Sequence, residues 1–86
     1  ITTFLVQGDV SKEEDILRSV NSVIEKFGGF DILINNAGIQ SDYPSHELPA
    51  EKFDQVIGVN LRGAFLCARE SIKHFLSQSR SGVIIN

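Results

Sequence analysis

The chain has 86 residues, so it forms one small domain at most, and a domain of this size buries only about 60% of its unfolded surface. Hydrophobic residues make up 42% and charged residues 22%, which is ordinary for a globular protein and argues against a disordered chain. The formal charge of −3 argues against binding to nucleic acid, which requires a basic face. The single cysteine, Cys67, excludes an internal disulfide and a multi-cysteine zinc site, so we expect no metal centre.

The apolar runs are much shorter than the roughly 18 residues of a membrane-spanning helix, and the first residues lack a signal-peptide pattern. We therefore expect no membrane partner and a cytoplasmic location. The segments near both ends, residues 3–7 and 82–85, are apolar and β-branched like buried strands. A small domain rarely starts and stops within buried strands, so we expect an internal section of a longer protein.

The amino-terminal half of the chain predicts a strand, a helix and a second strand. Residues 3–7 predict the first strand. Residues 11–14 (Ser-Lys-Glu-Glu) fit a capping box, in which the serine and the second glutamate each bond to the other's backbone N–H. Apolar residues at steps of three and four over residues 16–27 predict one buried helical stripe, and residues 28–29 (Gly-Gly) predict its end. Residues 32–34 (Ile-Leu-Ile) predict a parallel strand that is covered on both faces.

The carboxyl-terminal half predicts one long helix and a last strand. Pro49 suits the first position of a helix over residues 50–78. One helical face carries a continuous apolar stripe: Phe53, Val56, Ile57, Leu61, Ala64, Phe65, Ala68, Ile72, Phe75 and Leu76. A second apolar face (Val59, Leu66, Cys67) is covered either by a helix of the same chain or by a second copy. His74, near the helix end, is expected to be a surface residue that interacts with the negative end of the helix.

The alternation of strands and helices, with unalternating apolar strands, predicts a doubly wound α/β fold with a parallel sheet, the Rossmann fold. Only a strand-helix-strand-helix-strand portion is present, so we expect an incomplete sheet.

Parallel sheets bind ligands at the carboxyl ends of their strands, so the segments after the first two strands are candidate binding residues. They are Asp9-Val10 and residues 35–39 (Asn-Asn-Ala-Gly-Ile), and we expect them to form opposite lips of one slot. The structural alternatives are that Asp9 is a turn residue before a capped helix and that Asn35 and Asn36 only supply turn chemistry.

Four motifs occur in the order expected for one known family. They are Asp9-Val10, the Asn-Asn-Ala-Gly of residues 35–38, the Val-Asn-Leu-Arg-Gly-Ala-Phe of residues 59–65, and the Gly-Val-Ile-Ile-Asn of residues 82–86. Together they resemble the short-chain dehydrogenase/reductase family over essentially the whole chain. The resemblance makes the three predicted strands the third, fourth and fifth of the strand order 3-2-1-4-5. A gap of roughly 10 Å, left by two missing strands, would then separate the first from the other two. The resemblance implies an oxidoreductase that transfers a hydride between NAD or NADP and a small carbonyl or alcohol substrate, as a homo-oligomer (dimer or tetramer).

The resemblance also implies a role for each matched residue. Asp9 would accept a hydrogen bond from the adenine amine, and the Val10 N–H would donate to the adjacent ring nitrogen. The adenosine ribose would lie along a run of small residues and the isoleucine after it: Asn36, Ala37, Gly38 and Ile39. Gly38 would tolerate dihedral angles that other residues avoid, and Asn35 would tie neighbouring strands together.

Asn60 is the only residue that matches the catalytic set of the family, in which this asparagine helps to hold a water that feeds the catalytic lysine. The alternative is that Asn60 is a satisfied structural amide. Gly58 and Gly63 flank it, and each costs a helix interior about 1 kcal/mol, so we expect the helix to bend or to admit a close neighbour there.

The sequence lacks the glycine-rich G-x-G-x-x-G loop and the Y-x-x-x-K of the family. We therefore expect residues 1–86 to be the central part of a single NAD(P)-binding domain, without its glycine-rich and catalytic segments, and to be inactive alone. Within the family, residues 45–48 and 69–75 look most like bacterial glucose 1-dehydrogenases, which implies a sugar such as glucose as substrate. The alternative is a non-catalytic nucleotide-binding module of the same fold.

Overall fold

The computed structural model describes all 86 residues. In chain order, the elements are α1 (Glu13–Phe27), β1 (Ile32–Ile34), α2 (Ala50–Ile57), a π-helical segment (Gly58–Gly63), α3 (Ala64–Ser77) and β2 (Val83–Ile85). None of the helices combines the length and the apolar composition that crossing a lipid bilayer requires.

The helix α1 forms where the sequence predicts it but without the capping box. Lys12 is the N-cap residue and no side chain caps the helix. Because the helix begins one residue later than the capping box requires, Ser11 lies outside the N-cap position, and its hydroxyl donates to Asp9 Oδ1 at 2.7 Å. Gly28 ends the helix in the left-handed conformation, as predicted, with φ of 79° and its N–H bonded to Ile24 O.

The sheet has two parallel strands, with Ile32 opposite Val83 and Ile34 opposite Ile85. The predicted strand over residues 3–7 is wrong for this chain, since the segment before α1 contains no strand. A strand exists only where its backbone groups pair with a neighbour, and nothing in the chain lies beside this segment to pair with it. The parallel sheet flanked by helices is the predicted architecture. The prediction that residues 32–34 are covered on both faces is wrong for this chain, since Ile32 and Ile34 are 57% and 63% exposed where no strand or helix of the chain covers them.

The long helical region keeps its predicted limits but is not one continuous α-helix. The six residues from Gly58 to Gly63 are π-helical, and α2 and α3 continue on either side. Such π segments are frequent at functional sites. Gly63 is buried, and a Cβ there would lie 2.9 Å from the Val10 carbonyl oxygen. The expectation that a helical glycine admits a close neighbour is therefore confirmed at Gly63.

The core lies where α1 packs on α3 over the sheet, and it is small. Ile16, Leu66 and Phe75 are its buried hydrophobic residues. Most of the predicted apolar stripe is exposed, since nothing in the chain covers it: Phe53, Ile57, Leu61, Phe65, Ile72 and Leu76. On the second apolar face, Leu66 is buried within the chain, which favours the same-chain alternative for this residue.

His74 is not the surface residue that the sequence predicts. Only 7% of it is exposed, and its ring stacks on Phe30 with centroids 4.9 Å apart. Its Nε2 accepts a hydrogen bond from the Phe30 N–H at 3.3 Å. His74 therefore ties α3 to the connection that enters β1, because the chain from Gly28 onward folds back against this end of α3.

A cavity of about 350 Å³ separates the amino-terminal segment from the sheet. Val6, Gly8 and Val10 line one side, and Ile32 and Ile34 of β1 line the other. The Ser71 hydroxyl of α3 also lines it and is buried without a hydrogen-bond partner. The cavity lies where the strand order predicts a gap between the first strand and the other two.

Candidate functional site

The turn before α1 orients one carboxylate. The Ser11 N–H and hydroxyl both donate to Asp9 Oδ1, at 2.9 and 2.7 Å. The other oxygen, Oδ2, accepts no hydrogen bond from the chain. The two bonds from Ser11 hold the pKa of Asp9 below its ordinary value, so the group is an anion at neutral pH. Asp9 thus presents one oriented, charged acceptor to solvent.

The backbone beside this carboxylate presents a donor. The Val10 N–H makes no hydrogen bond, whereas the neighbouring Lys12 N–H bonds to Asp9 O at 3.0 Å. The Asp9 N–H donates to Asp15 Oδ2 at 2.9 Å, and this bond lowers the pKa of Asp15. An available acceptor, Asp9 Oδ2, and an available donor, Val10 N–H, therefore belong to adjacent residues. This pair can recognise a planar group that carries a donor next to an acceptor.

The segment after β1 begins with a structural side chain. Asn35 Nδ2 donates to Asn86 Oδ1 at 2.9 Å and lies 3.3 Å from Ala64 O. It therefore ties the ends of the two strands to each other and to α3, as the sequence predicts.

Asn36, Ala37, Gly38 and Ile39 follow β1 as an exposed segment without regular structure. Gly38 does not have a positive φ, so the expectation that it uses dihedral angles closed to other residues is wrong. A Cβ at this position would make an ordinary 3.5 Å contact with Asn60 Oδ1. The backbone here follows conformations open to any residue, because the chain leaves the strand without a tight turn.

Asn60 of the π-helical segment bonds to the backbone of Ile39 in both directions. Its Oδ1 accepts from the Ile39 N–H at 2.9 Å, and its Nδ2 donates to the Ile39 carbonyl at 2.8 Å. The amide is thus a satisfied group, as the structural alternative requires. It also fixes the position of the segment after β1 relative to the helix.

The π-helical segment contacts both candidate binding segments. Asn60 holds Ile39, while Arg62 NH1 donates to Ser11 O at 2.6 Å and Gly63 lies against Val10. Both predicted binding segments, at Asp9-Val10 and at residues 35–39, are therefore held by the same six-residue π-helical segment. Sequence reasoning identified Asp9, Val10 and Asn60 and expected a close neighbour at Gly58 or Gly63, but it missed the contact between Ser11 and Arg62. A serine two residues after an aspartate is a recognisable turn signal that could have pointed to Ser11.

A family profile and several known proteins match this chain over all or nearly all of its length, including the residues described above. A profile described as short chain dehydrogenase matches residues 1–86. The 3beta-hydroxysteroid dehydrogenase 1 of Eggerthella lenta is 46% identical over 81 residues, which are 94% of this chain and 31% of that protein. The chain spans about a third of the length of the curated relatives it matches.

Two solved structures share the fold. A short chain dehydrogenase from Bacillus anthracis superposes with a TM-score of 0.90 at 37% identity, covering 94% of this chain and 34% of that one. The 3-ketoacyl-(acyl-carrier-protein) reductase from Brucella melitensis, complexed with NADH, superposes with a TM-score of 0.84 at 40% identity, covering 92% of this chain and 34% of that one. Because the family profile matches every residue and the superposed proteins share the fold, this incomplete Rossmann fold belongs to the short-chain dehydrogenase family.

Proposed function

We propose that residues 1–86 are the central part of a single NAD(P)-binding domain of an oxidoreductase. The parent protein transfers a hydride between NAD or NADP and a small carbonyl or alcohol substrate. The family membership supports this activity, and the relatives are about three times as long as the chain. Neither a glycine-rich phosphate loop nor a Y-x-x-x-K occurs among these residues. In this proposal they lie in other segments of the parent, and this section is inactive alone.

The observation that carries the proposal is the available acceptor and donor at Asp9 and Val10. An adenine edge presents an amine donor next to a ring-nitrogen acceptor, which is the complementary pattern. Asp9 Oδ2 accepts from the amine and the Val10 N–H donates to the ring nitrogen. Neither group has a partner within the chain, so adenine adds hydrogen bonds without breaking any.

The adenosine ribose lies along Asn36, Ala37, Gly38 and Ile39 in this proposal. These residues are exposed, and three of them have small side chains that let a ligand approach the backbone closely. The nicotinamide ring of the bound cofactor supplies or accepts the hydride. Asn60 is the one residue of the catalytic set in this section, and in this proposal it helps to hold a water that feeds the catalytic lysine of the parent. Its amide also holds Ile39 through two hydrogen bonds.

The cofactor role of Asp9 is tested by an Asp9→Ala change in the full-length parent. We expect the dissociation constant for NAD(P)H to rise roughly tenfold, because one charge-assisted acceptor is removed. The melting temperature should stay nearly the same, because the Asp9 carboxylate is exposed at the surface. Asp54→Ala, an exposed aspartate on α2, is the matched control. Unchanged affinity in Asp9→Ala would remove the adenine role.

A non-catalytic nucleotide-binding module is the second candidate, favoured by the absence of the catalytic serine, tyrosine and lysine from this section. Both candidates predict binding of NAD(P)H, but only the enzyme oxidises it in the presence of a carbonyl substrate. The absorbance of the reduced nicotinamide therefore separates them. Residues 45–48 and 69–75 support a sugar such as glucose as the substrate to assay first, with a hydroxysteroid and a ketoacyl thioester beside it.

We also propose that the parent is a homo-oligomer, a dimer or tetramer, that pairs through the exposed apolar face of α3. Phe65, Ile72 and Leu76 lie on one side of this helix and are 60%, 46% and 73% exposed. An apolar patch of this kind on a soluble protein marks an interaction surface.

Phe65→Glu in the parent should shift the oligomer to smaller species in analytical ultracentrifugation, because a charge would be buried at the interface. Lys73→Glu changes an exposed side chain outside the apolar patch of the same helix, so it should leave the assembly intact. An unchanged sedimentation coefficient in Phe65→Glu would exclude this face as the interface.

A further inference from the structure

The guanidinium of Arg62 bonds to a backbone carbonyl and not to a carboxylate. Its NH1 donates to the backbone carbonyl of Ser11 at 2.6 Å, across 51 positions of sequence. None of the ion pairs of the chain includes Arg62, whereas Arg18, Arg69 and Arg80 all contact carboxylates. A guanidinium that is held on a neutral backbone oxygen fixes the position of that backbone.

Gly63 fixes the same turn at the next residue. A Cβ on Gly63 would lie 2.9 Å from both Cγ2 and the carbonyl oxygen of Val10, closer than real Cβ atoms come to their neighbours. Gly58, at the other end of the π-helical segment, is different, because a Cβ there would make an ordinary 3.6 Å contact with Ser11 Cβ. The backbone of Val10 therefore rests directly on the helix at Gly63.

Arg62 and Gly63 each contact a residue that holds or carries one of the two proposed adenine-binding groups. Ser11 orients the Asp9 carboxylate through its N–H and hydroxyl, and Arg62 holds the carbonyl of the same Ser11. Val10 carries the available N–H and rests on Gly63. The local bonds of the turn, Ser11 to Asp9 and Lys12 to Asp9, preserve its shape but do not connect it to the segment after β1. Arg62 and Gly63 make that connection, because Asn60 of the same π-helical segment holds Ile39.

We propose that Arg62 and Gly63 are positioning residues for cofactor binding, which hold the Asp9–Val10 pair at a fixed distance from the ribose-contacting segment. The inference rests on the proposed NAD(P) function and deepens it. Neither residue touches the cofactor. Each acts through the turn it supports, so its loss weakens binding of the adenosine half and leaves the chemical step intact.

The test is Arg62→Met in the full-length parent, with Arg69→Met on α3 as the matched control. We expect the KM for NAD(P)H and the inhibition constant of AMP to rise together by about tenfold, while kcat at saturating cofactor stays within about twofold of the unchanged enzyme. Arg62→Lys should restore most of the affinity, because a single donor suffices for one carbonyl. Arg69→Met should change neither constant. Equal AMP inhibition in Arg62→Met and the unchanged enzyme would overturn the inference.

A double change separates this inference from the proposed function. In an Asp9→Ala background, Arg62→Met should add little further loss, because it acts through the group already removed. If Asp9→Ala weakens binding and Arg62→Met does not, only the positioning role fails. If Asp9→Ala itself has no effect, the adenine role fails and the positioning role with it. Should Arg62→Met not fold, the pair Gly63→Ala and Gly58→Ala replaces it, and equal cofactor affinities in that pair would overturn the inference.

Discussion

Asn60→Ala in the full-length parent should lower kcat about a hundredfold and raise the dissociation constant for NAD(P)H by a smaller factor, up to about tenfold. The change removes both hydrogen bonds to Ile39, at 2.9 and 2.8 Å. The segment after β1 then loses its attachment to the π-helical segment, and a shift of about 1 Å in a catalytic arrangement is enough for a loss of this size. The same shift moves the ribose-contacting segment away from the Asp9–Val10 pair, so cofactor affinity falls as well, although less than kcat does.

Single-turnover and steady-state kinetics with saturating cofactor measure this effect. Asn21→Ala, which removes an exposed asparagine from α1, is the matched control and should leave kcat unchanged. Asn60→Asp preserves the acceptor for the Ile39 N–H but places a carboxylate beside the Ile39 carbonyl, so it should also be slow. If the Asn60→Ala variant has the same kcat as the unchanged enzyme, Asn60 is a structural amide and has no part in catalysis.

The 86-residue chain expressed alone should show no cooperative thermal transition. Only 6 of its 86 residues are buried. Its accessible surface of 6326 Å² compares with about 5,000 Å² for a compact protein of this mass. Its radius of gyration is 15.0 Å, against about 12 Å for a compact chain of this length. So little burial contributes too little hydrophobic stabilisation to outweigh the conformational entropy that the chain loses on folding.

Differential scanning calorimetry and far-ultraviolet circular dichroism test this directly, with the full-length parent as the cooperative control. We expect a gradual loss of helical signal without a heat-absorption peak. A sharp two-state melt with equal calorimetric and van't Hoff enthalpies would contradict the expectation and show that the section folds independently.

Local structure in this chain could be predicted because it depends on residues close in sequence. The stripe from Ile16 to Phe27 and the left-handed stop at Gly28 specify α1. The unalternating apolar run Ile32–Ile34 specifies a parallel strand, and the polar residues after it mark the candidate binding edge of the sheet. The motifs around Asp9, Asn36 and Asn60 were sufficient to identify the family, because their order and their positions after strands and within a helix are visible in the sequence.

Other features depended on groups that are distant in sequence. Residues 3–7 have the composition of a strand but form none, since a strand needs a paired neighbour and none lies beside them. His74 has the sequence context of a surface residue, yet the fold buries it against Phe30. The sequence predicts that Ser11 caps α1, but the helix begins one residue later, at an N-cap of Lys12, and Ser11 bonds to Asp9 instead.

The sequence alone determined the α/β class, the family and the residues that carry the candidate chemistry. Each of these depends on patterns among residues that are close in sequence. The tertiary structure alone decides how those residues are held together. The π-helical segment brings Asn60 to Ile39 and Arg62 to Ser11, across 21 and 51 positions of sequence. The physical reason is that periodicity reports which side of a helix is apolar, whereas a contact between distant segments depends on the packing of the whole chain.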